Sequence, residues 1–318
     1  MTDQWFLWPD ARFLRGGIGA LGTSTPDALE TFLARRYGGR GYPVVVSSGR
    51  IGLVLALDAL GVRRSDLVGL FPFASHCVIE SVGRVGSPVS GGAAATTANR
   101  VLYHQWGYVQ ERSALGAFLE DAVDTFCLPG AALFPAGGPF EVWSLAKLTG
   151  SLGGGVLWCR DQSAATEIRR RRDQRNAATT LRWMLRVFSS RWQSLVPLWY
   201  GAESAGGAPP SWGCGDILHG LQRWDDIAET RRERIAVVHR LLPSWLTIDS
   251  NRLPTVVPMV ATEEQGEQLM ALGFSAGFRH FERVTGSSRE VVRMFPIPVH
   301  QDVPVSVLQR ACQIVGCE

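Results

Sequence analysis

From residue 24 to residue 159 the chain alternates short β-branched runs with segments carrying helix signals, and this alternation restricts the fold more than any other feature. The segment 24-STPDALETFLARRYGG-39 has Ser24 or Thr25 as a cap, Pro26 in its first turn, Leu29, Phe32 and Leu33 on one face, and Gly38 as a stop. A buried strand, 43-PVVVSS-48, leads into a helix over 49–62 that starts at a glycine. A strand over 67–73, a helix through HCVIESVGRVG and a strand over 100–107 follow. The stretch 112-RSALGAFLEDAVD-124 carries a buried run that ends in acids, and 140–145 and 153–159 are two more strands. Strands alternating with helices predict an α/β domain with a mostly parallel sheet. Such sheets bind ligands beyond the carboxyl ends of their strands, where Ser48, Pro72, His104, Asp121 and Lys147 are all expected.

The chain beyond this unit reads differently. Residues 162–195 predict an Arg-rich helical stretch whose run 167-EIRRRRDQR-175 is a solvated face. The Gly/Pro/Ala-rich stretch 201–215 predicts a linker, 216–242 an amphipathic helix, and 243–318 a smaller α+β unit. The expected division is a large α/β domain over 1–205 and a small α+β domain over 206–318. With 318 residues, 46% hydrophobic and 19% charged, the chain has the composition of a soluble globular protein. A net charge of +3 gives no footprint for nucleic acid or an anionic membrane. No run reaches the roughly 18 apolar residues of a membrane span, and the start shows no signal-peptide pattern. The six cysteines are scattered without a C-x-x-C pair, so no metal site is expected and a cytoplasmic location is.

The positive charges hold the chemical clue. There are 31 arginines and one lysine, Lys147, in 143-WSLAKLTGSLGGG-155. Arginine can replace lysine wherever only charge matters, but its delocalised guanidinium cannot condense with an aldehyde. A last lysine in a predicted cleft therefore points to Schiff-base chemistry, and hence to pyridoxal phosphate (PLP). That cofactor needs an acid on its pyridine nitrogen, an anchor for its phosphate and a partner for its ring. Asp121 is either that acid or an ordinary helix-start carboxylate. The turn 47-SSGR-50 opens a helix with Ser48, Gly49, Arg50 and Ile51, whose N–H groups and dipole suit an anion. His76 is either a ring-stacking group or a structural histidine.

In order along the chain, 47-SSGRIGLVLALDALGVRRSDLVGLFPF-73, 102-LYHQWGY-108, 119-LEDAVDTF-126, 143-WSLAKLTGSLGGGVLW-158 and 221-LQRWDDIAETRRERI-235 resemble the segments of the DegT/StrS-type PLP-dependent aminotransferases, best known for acting on nucleotide sugars. The resemblance covers most of residues 24–240. It implies a fold type I enzyme, homodimeric with active sites at the interface, that moves an amino group from a donor to a keto acceptor. It implies Lys147 as the Schiff-base lysine and proton shuttle, Asp121 on the pyridine nitrogen, His76 on the ring face, and Gly49, Arg50 and Ser144 on the phosphate. His104 and Tyr108 fall in the segment like the family's His-x-Tyr-Gly turn, as substrate or partner-chain candidates. Ser211 is the nearest candidate in place of its Asn-Tyr-Arg pattern.

Asp124 stands where the family often has glutamine near the cofactor's phenolic oxygen. Burial and the neighbouring Arg50 are expected to lower Lys147 from ~10.4 toward ~7–8. The competing readings are a PLP enzyme performing elimination, decarboxylation or condensation on an amino acid, and a non-catalytic dimeric relative.

Overall fold

The computed structural model describes residues 4–9, 22–90, 97–110, 118–175, 180–181, 183–185, 206–242, 246–285 and 288–316. Helix α1 (Pro26–Arg36) starts where its cap predicts, with the Thr25 hydroxyl accepting the Ala28 N–H at 3.2 Å. Strand β1 (Tyr42–Val46) buries Val44, Val45 and Val46 completely. Helix α2 (Gly49–Ala59) is apolar all round and sits inside the molecule, buried at every position but Arg50 from Gly49 to Leu57. Then come β2 (Leu67–Gly69), α3 (His76–Gly83), β3 (Ser87–Val89), β4 (Asn99–Tyr103), β5 (Phe118–Asp121) and β6 (Thr125–Cys127). Strand β7 (Phe140–Ser144), helix α4 (Leu145–Thr149), strand β8 (Gly155–Cys159) and helix α5 (Gln162–Asp173) complete the first series.

These strands form a seven-stranded sheet in the order β3-β2-β4-β5-β7-β8-β1. From β3 to β7 all pairings are parallel, and β8 is antiparallel to both of its neighbours. Strand β1 therefore runs in the direction of β7, and the carboxyl ends of β1, β4, β5 and β7 share one edge. The remainder comprises α6 (Ser211–Gln222), α7 (Trp224–Leu241), β9 (Arg252–Pro254), β10 (Val256–Met259), α8 (Glu263–Ala271), β11 (Arg279–Thr285), β12 (Ser288–Pro298) and α9 (Val305–Gly316). A three-stranded antiparallel sheet, β10-β12-β11, lies here, and β9 reaches back to pair with β6. One apolar cluster runs from Leu29 and Trp143 through Trp224 to Phe295 and Leu308, so both parts of the chain share a core. No described helix is long and apolar enough to cross a membrane.

The structure corrects three local readings. The strand expected over 100–107 stops at Tyr103, because the chain turns sharply through residues 105–107 with Trp106 at φ 57°. Residues 211–215 are helix and not linker, with Cys214 fully buried and Gly213 packed against Trp183. The helix expected over 216–242 is two helices that break at Arg223. Most of the predicted helical stretch beyond Asp173, and residues 201–205 of the predicted linker, lie outside the described residues.

The Arg-rich helix is solvated on only part of its surface. Arg172 is 3% exposed and donates to Glu30 at 2.6 Å, and Arg169 donates to the other oxygen of Glu30 at 2.7 Å. Glu30 also accepts the N–H of Val45 at 2.9 Å, so one buried carboxylate ties α1, β1 and α5 together. Glu30→Ala leaves the buried Arg172 with the exposed Asp173, 2.9 Å from its Nε, to balance it. The expected loss is about 3 kcal/mol, read as a lower denaturant midpoint with an unchanged slope.

Candidate active site

At the shared carboxyl edge lies a cavity of about 890 Å³, lined by residues from the turn after β1, from α2, α3, β4, β5, β7 and α4, and roofed by Phe6–Pro9 and Phe278–His280. Each chemical group reaches it for a local reason. On α4, Leu145 and Leu148 are fully buried one turn apart, which turns Lys147 toward the cavity. Gly150, at φ 74°, ends that helix in a left-handed cap whose N–H bonds Ala146 O. The glycine run then stitches two loops together. The N–H of Gly154 donates to Ser47 O at 2.9 Å, and its carbonyl accepts the N–H of Leu145 at 3.1 Å. Gly155 lies so close to the turn before α2 that a Cβ there would stand 2.7 Å from Gly49 N.

That contact makes Gly155 a sensitive position. Backbone and not a flexible side chain would have to yield, so Gly155→Ala shifts the turn that opens α2. The expected result is weaker PLP retention, by about tenfold or more (1.4 kcal/mol per factor of ten), measured by absorbance titration of the cofactor-depleted protein.

The turn itself fits an anion. Ser48 caps α2 with its hydroxyl accepting the Ile51 N–H at 3.3 Å. Ser48, Gly49 and Arg50 line the cavity, with Ser144 and Ser151 alongside. Ile51 is fully buried and outside the lining, its N–H taken by the cap, so it contributes packing and not a contact.

Across the cavity, Asp121 ends β5 and is 2% exposed. Burial pushes its carboxyl up to about 7; the nearby Lys147 charge pulls the other way and Asp124 adds to the rise. Its Oδ1 accepts the N–H of Val123 at 3.2 Å. Lys147 Nζ donates to Asp124 Oδ1 at 2.8 Å, and the other oxygen of Asp124 accepts the Tyr103 hydroxyl. The Trp8 ring covers the ammonium, with its centroid 4.1 Å from Nζ. This reverses the expected direction of the lysine's pKa. Burial lowers it, but Asp124, with contributions from Cys77 and Asp121, outweighs burial, and the net shift is upward.

Five other candidates are placed elsewhere. His104 is fully buried, with Nε2 2.8 Å from Glu120 Oε2 and Nδ1 accepting the N–H of Gln110. It faces away from the cavity because strand residues alternate sides: Tyr103 and Asp121 are register partners on one face, with Leu102 and Glu120 the neighbouring pair. Tyr108 is 4% exposed and packs edge-on to Phe281 at 5.6 Å. His76 is exposed at the first position of α3, and Ala74, Ser75, Cys77 and Val78 line the wall it was expected to form. Ser211 is exposed at the start of α6, and Pro72 is exposed too; neither lines the cavity. Two groups escaped the sequence reading. Strand period would have found Tyr103 once β4 and β5 were aligned, whereas nothing in the local pattern marks Trp8.

A buried acid, one primary amine and an open helix N-terminus in one enclosure match the three polar parts of PLP: ring nitrogen, aldehyde and phosphate. A family model described as "Putative PLP-dependent aminotransferase" matches residues 31–310. The chain belongs to that family. Among solved structures, the aminotransferase TlmJ from Streptoalloteichus hindustanus superposes with a TM-score of 0.63 at 16% identity, covering 99% of this chain and 97% of that one. The sugar aminotransferase CalS13 from Micromonospora echinospora gives 0.60 at 16% identity over 99% of both chains. A DegT DnrJ EryC1 StrS aminotransferase from Brucella abortus gives 0.61 at 14% identity over 95% and 94%. No curated protein sequence matches the chain. The aminotransferase has the type I fold, in agreement with the expected α/β architecture and with the resemblance carried by its motifs.

Proposed function

We propose that this PLP-dependent aminotransferase passes an amino group from a donor such as glutamate to a ketone, with a nucleotide-linked keto sugar as the leading acceptor class, in a cytoplasmic biosynthetic pathway and as a homodimer. The observation that carries the reading is the convergence of Lys147, Asp121 and the N-terminus of α2 on one cavity. PLP, when bound, supplies an aldehyde and an electron-withdrawing ring that accepts the electron pair left when a C–H bond beside an amine breaks.

The chain's own groups do the rest. Lys147 offers the amine that holds the aldehyde and, once released, carries the proton at Nζ. Asp121, kept from water, holds the ring nitrogen in its protonated form. Gly49, Arg50 and Ser144 take the phosphate, aided by the dipole of α2. Phe6–Pro9 and Phe278 keep water away from the reacting carbon. The acceptor side is walled by Phe71, Phe73 and Phe278 with Arg279 beside them, a mix of flat apolar faces and positive charge that suits a sugar ring on an anionic carrier. The sugar aminotransferase CalS13 among the structural neighbours supports the same class.

The test is the absorbance spectrum of the purified protein with and without glutamate. Loss of the visible band with growth of the pyridoxamine band supports transamination. A coloured protein unmoved by any common amino donor would favour other PLP chemistry, and one that stays colourless when supplied with PLP would be a non-catalytic relative.

A further inference from the structure

We propose that Asp124, oriented by Tyr103 and assisted by the face of Trp8, locks the cofactor-free Lys147 as an ammonium, so that cofactor capture is gated by loss of that proton. The proposal rests on the reading of Lys147 as the cofactor-bearing residue. Its basis is geometric. Lys147 Nζ lies 2.8 Å from Asp124 Oδ1; the side chain of Asp124 is 0% exposed and that of Lys147 27%, so solvent screens the pair from the lysine side only. The Tyr103 hydroxyl occupies the second oxygen of Asp124 and fixes its orientation. Trp8 presents its ring 4.1 Å from the same nitrogen, a contact that favours the cation over the neutral amine.

The groups that act on Lys147 are Asp124 after β5, Asp121 at the end of β5 and Cys77 on α3, all of which favour the ammonium. Tyr103 of β4, Arg50 of α2, and Arg279 and His280 at the start of β11 line the same cavity. Burial alone opposes the charge and is outweighed.

The chemistry follows from the lone pair. Condensation with an aldehyde forms a carbon–nitrogen bond and releases one water, but an ammonium has no lone pair. Its proton must first leave for bulk water. Asp124 then both slows condensation at the cofactor-free site below the rate of an ordinary lysine and keeps the lysine aimed. A glutamine there would aim the lysine without holding the charge.

The single lysine makes this measurable. Reductive methylation of the cofactor-depleted protein with ¹³C-formaldehyde labels Lys147 and the N-terminal amine only, and the latter titrates near ~7.7–8.0. The expected midpoint for labelled Lys147 lies above that of a free lysine near ~10.4. Asp124→Asn should bring it down by at least one unit and Asp124→Glu should restore it. Correspondingly, the rate of colour development on adding PLP should rise about tenfold per pH unit from pH 7 to 9 in the native protein. At pH 7.5 it should be about tenfold or more faster in Asp124→Asn. A native-protein midpoint at or below that of free lysine overturns the proposal even if Asp124→Asn does not fold, and so does a midpoint that Asp124→Asn leaves unmoved. A protein that stays colourless at every pH sinks the underlying cofactor reading, whereas a coloured protein with an ordinary lysine midpoint sinks only this inference.

Discussion

Lys147→Ala will be colourless as purified and will lose transamination by about 10⁴-fold or more, since both the cofactor's covalent anchor and the proton carrier go with it. The companion variant is more informative. Lys147→Arg keeps a cation facing the buried Asp124, so its thermal midpoint should stay close to that of the native protein. It should be as colourless and inactive as Lys147→Ala, because a guanidinium balances charge but does not condense with an aldehyde. Absorbance and calorimetry on the pair separate the two duties of the residue. If Lys147→Arg retains the visible band, Lys147 is not the residue that holds the cofactor.

Asp121→Asn trades activity for stability. Without a carboxylate to keep the ring nitrogen protonated, the electron sink weakens and turnover should drop on the order of 10²–10⁴-fold. The cofactor-free protein should respond in the opposite direction. Burial raises Asp121 from its ordinary 3.8 to about 7. Between these values the folded chain retains a proton that the unfolded chain has released, so stability falls as pH climbs through that window and the full penalty stands above it. Asparagine cannot ionise and escapes the penalty. Thermal melts of the cofactor-free proteins should show Asp121→Asn the more stable at pH 8, with the gap closing toward pH 4. A native protein that gains stability from pH 4 to 8 relative to the variant would contradict the assignment of a buried, reluctant carboxylate. The trade is the usual one for a site that holds a charge in poor solvent until its ligand arrives.

Much of the fold was legible because its signals are local. Thr25 and Pro26 mark the start of α1, three valines identify β1, and the glycine that opens α2 marks a turn that admits an anion. The errors arose where a residue's neighbours in sequence are not its neighbours in space. His104 and Tyr103 are adjacent and both chemically plausible, yet a strand sends them to opposite faces, and only the pairing of β4 with β5 shows that Tyr103 shares the side of Asp121. The Arg-rich helix looked solvated because Glu30, the carboxylate that draws Arg169 and Arg172 inward, lies 139 and 142 positions away.

By itself the sequence determined the alternation of strands and helices, and with it the edge where a ligand must sit. It also determined that the one side chain able to form an imine is Lys147. Only the tertiary structure decided which carboxylate meets that amine. Asp121 and Asp124 are three residues apart, and the turn after β5 brings the second, not the first, to 2.8 Å from Nζ. The sign of the lysine's pKa shift followed from that choice. Propensity and period are properties of contiguous residues, whereas a Coulomb interaction inside a protein depends on a distance and a solvent exposure that exist only once the chain has closed around them.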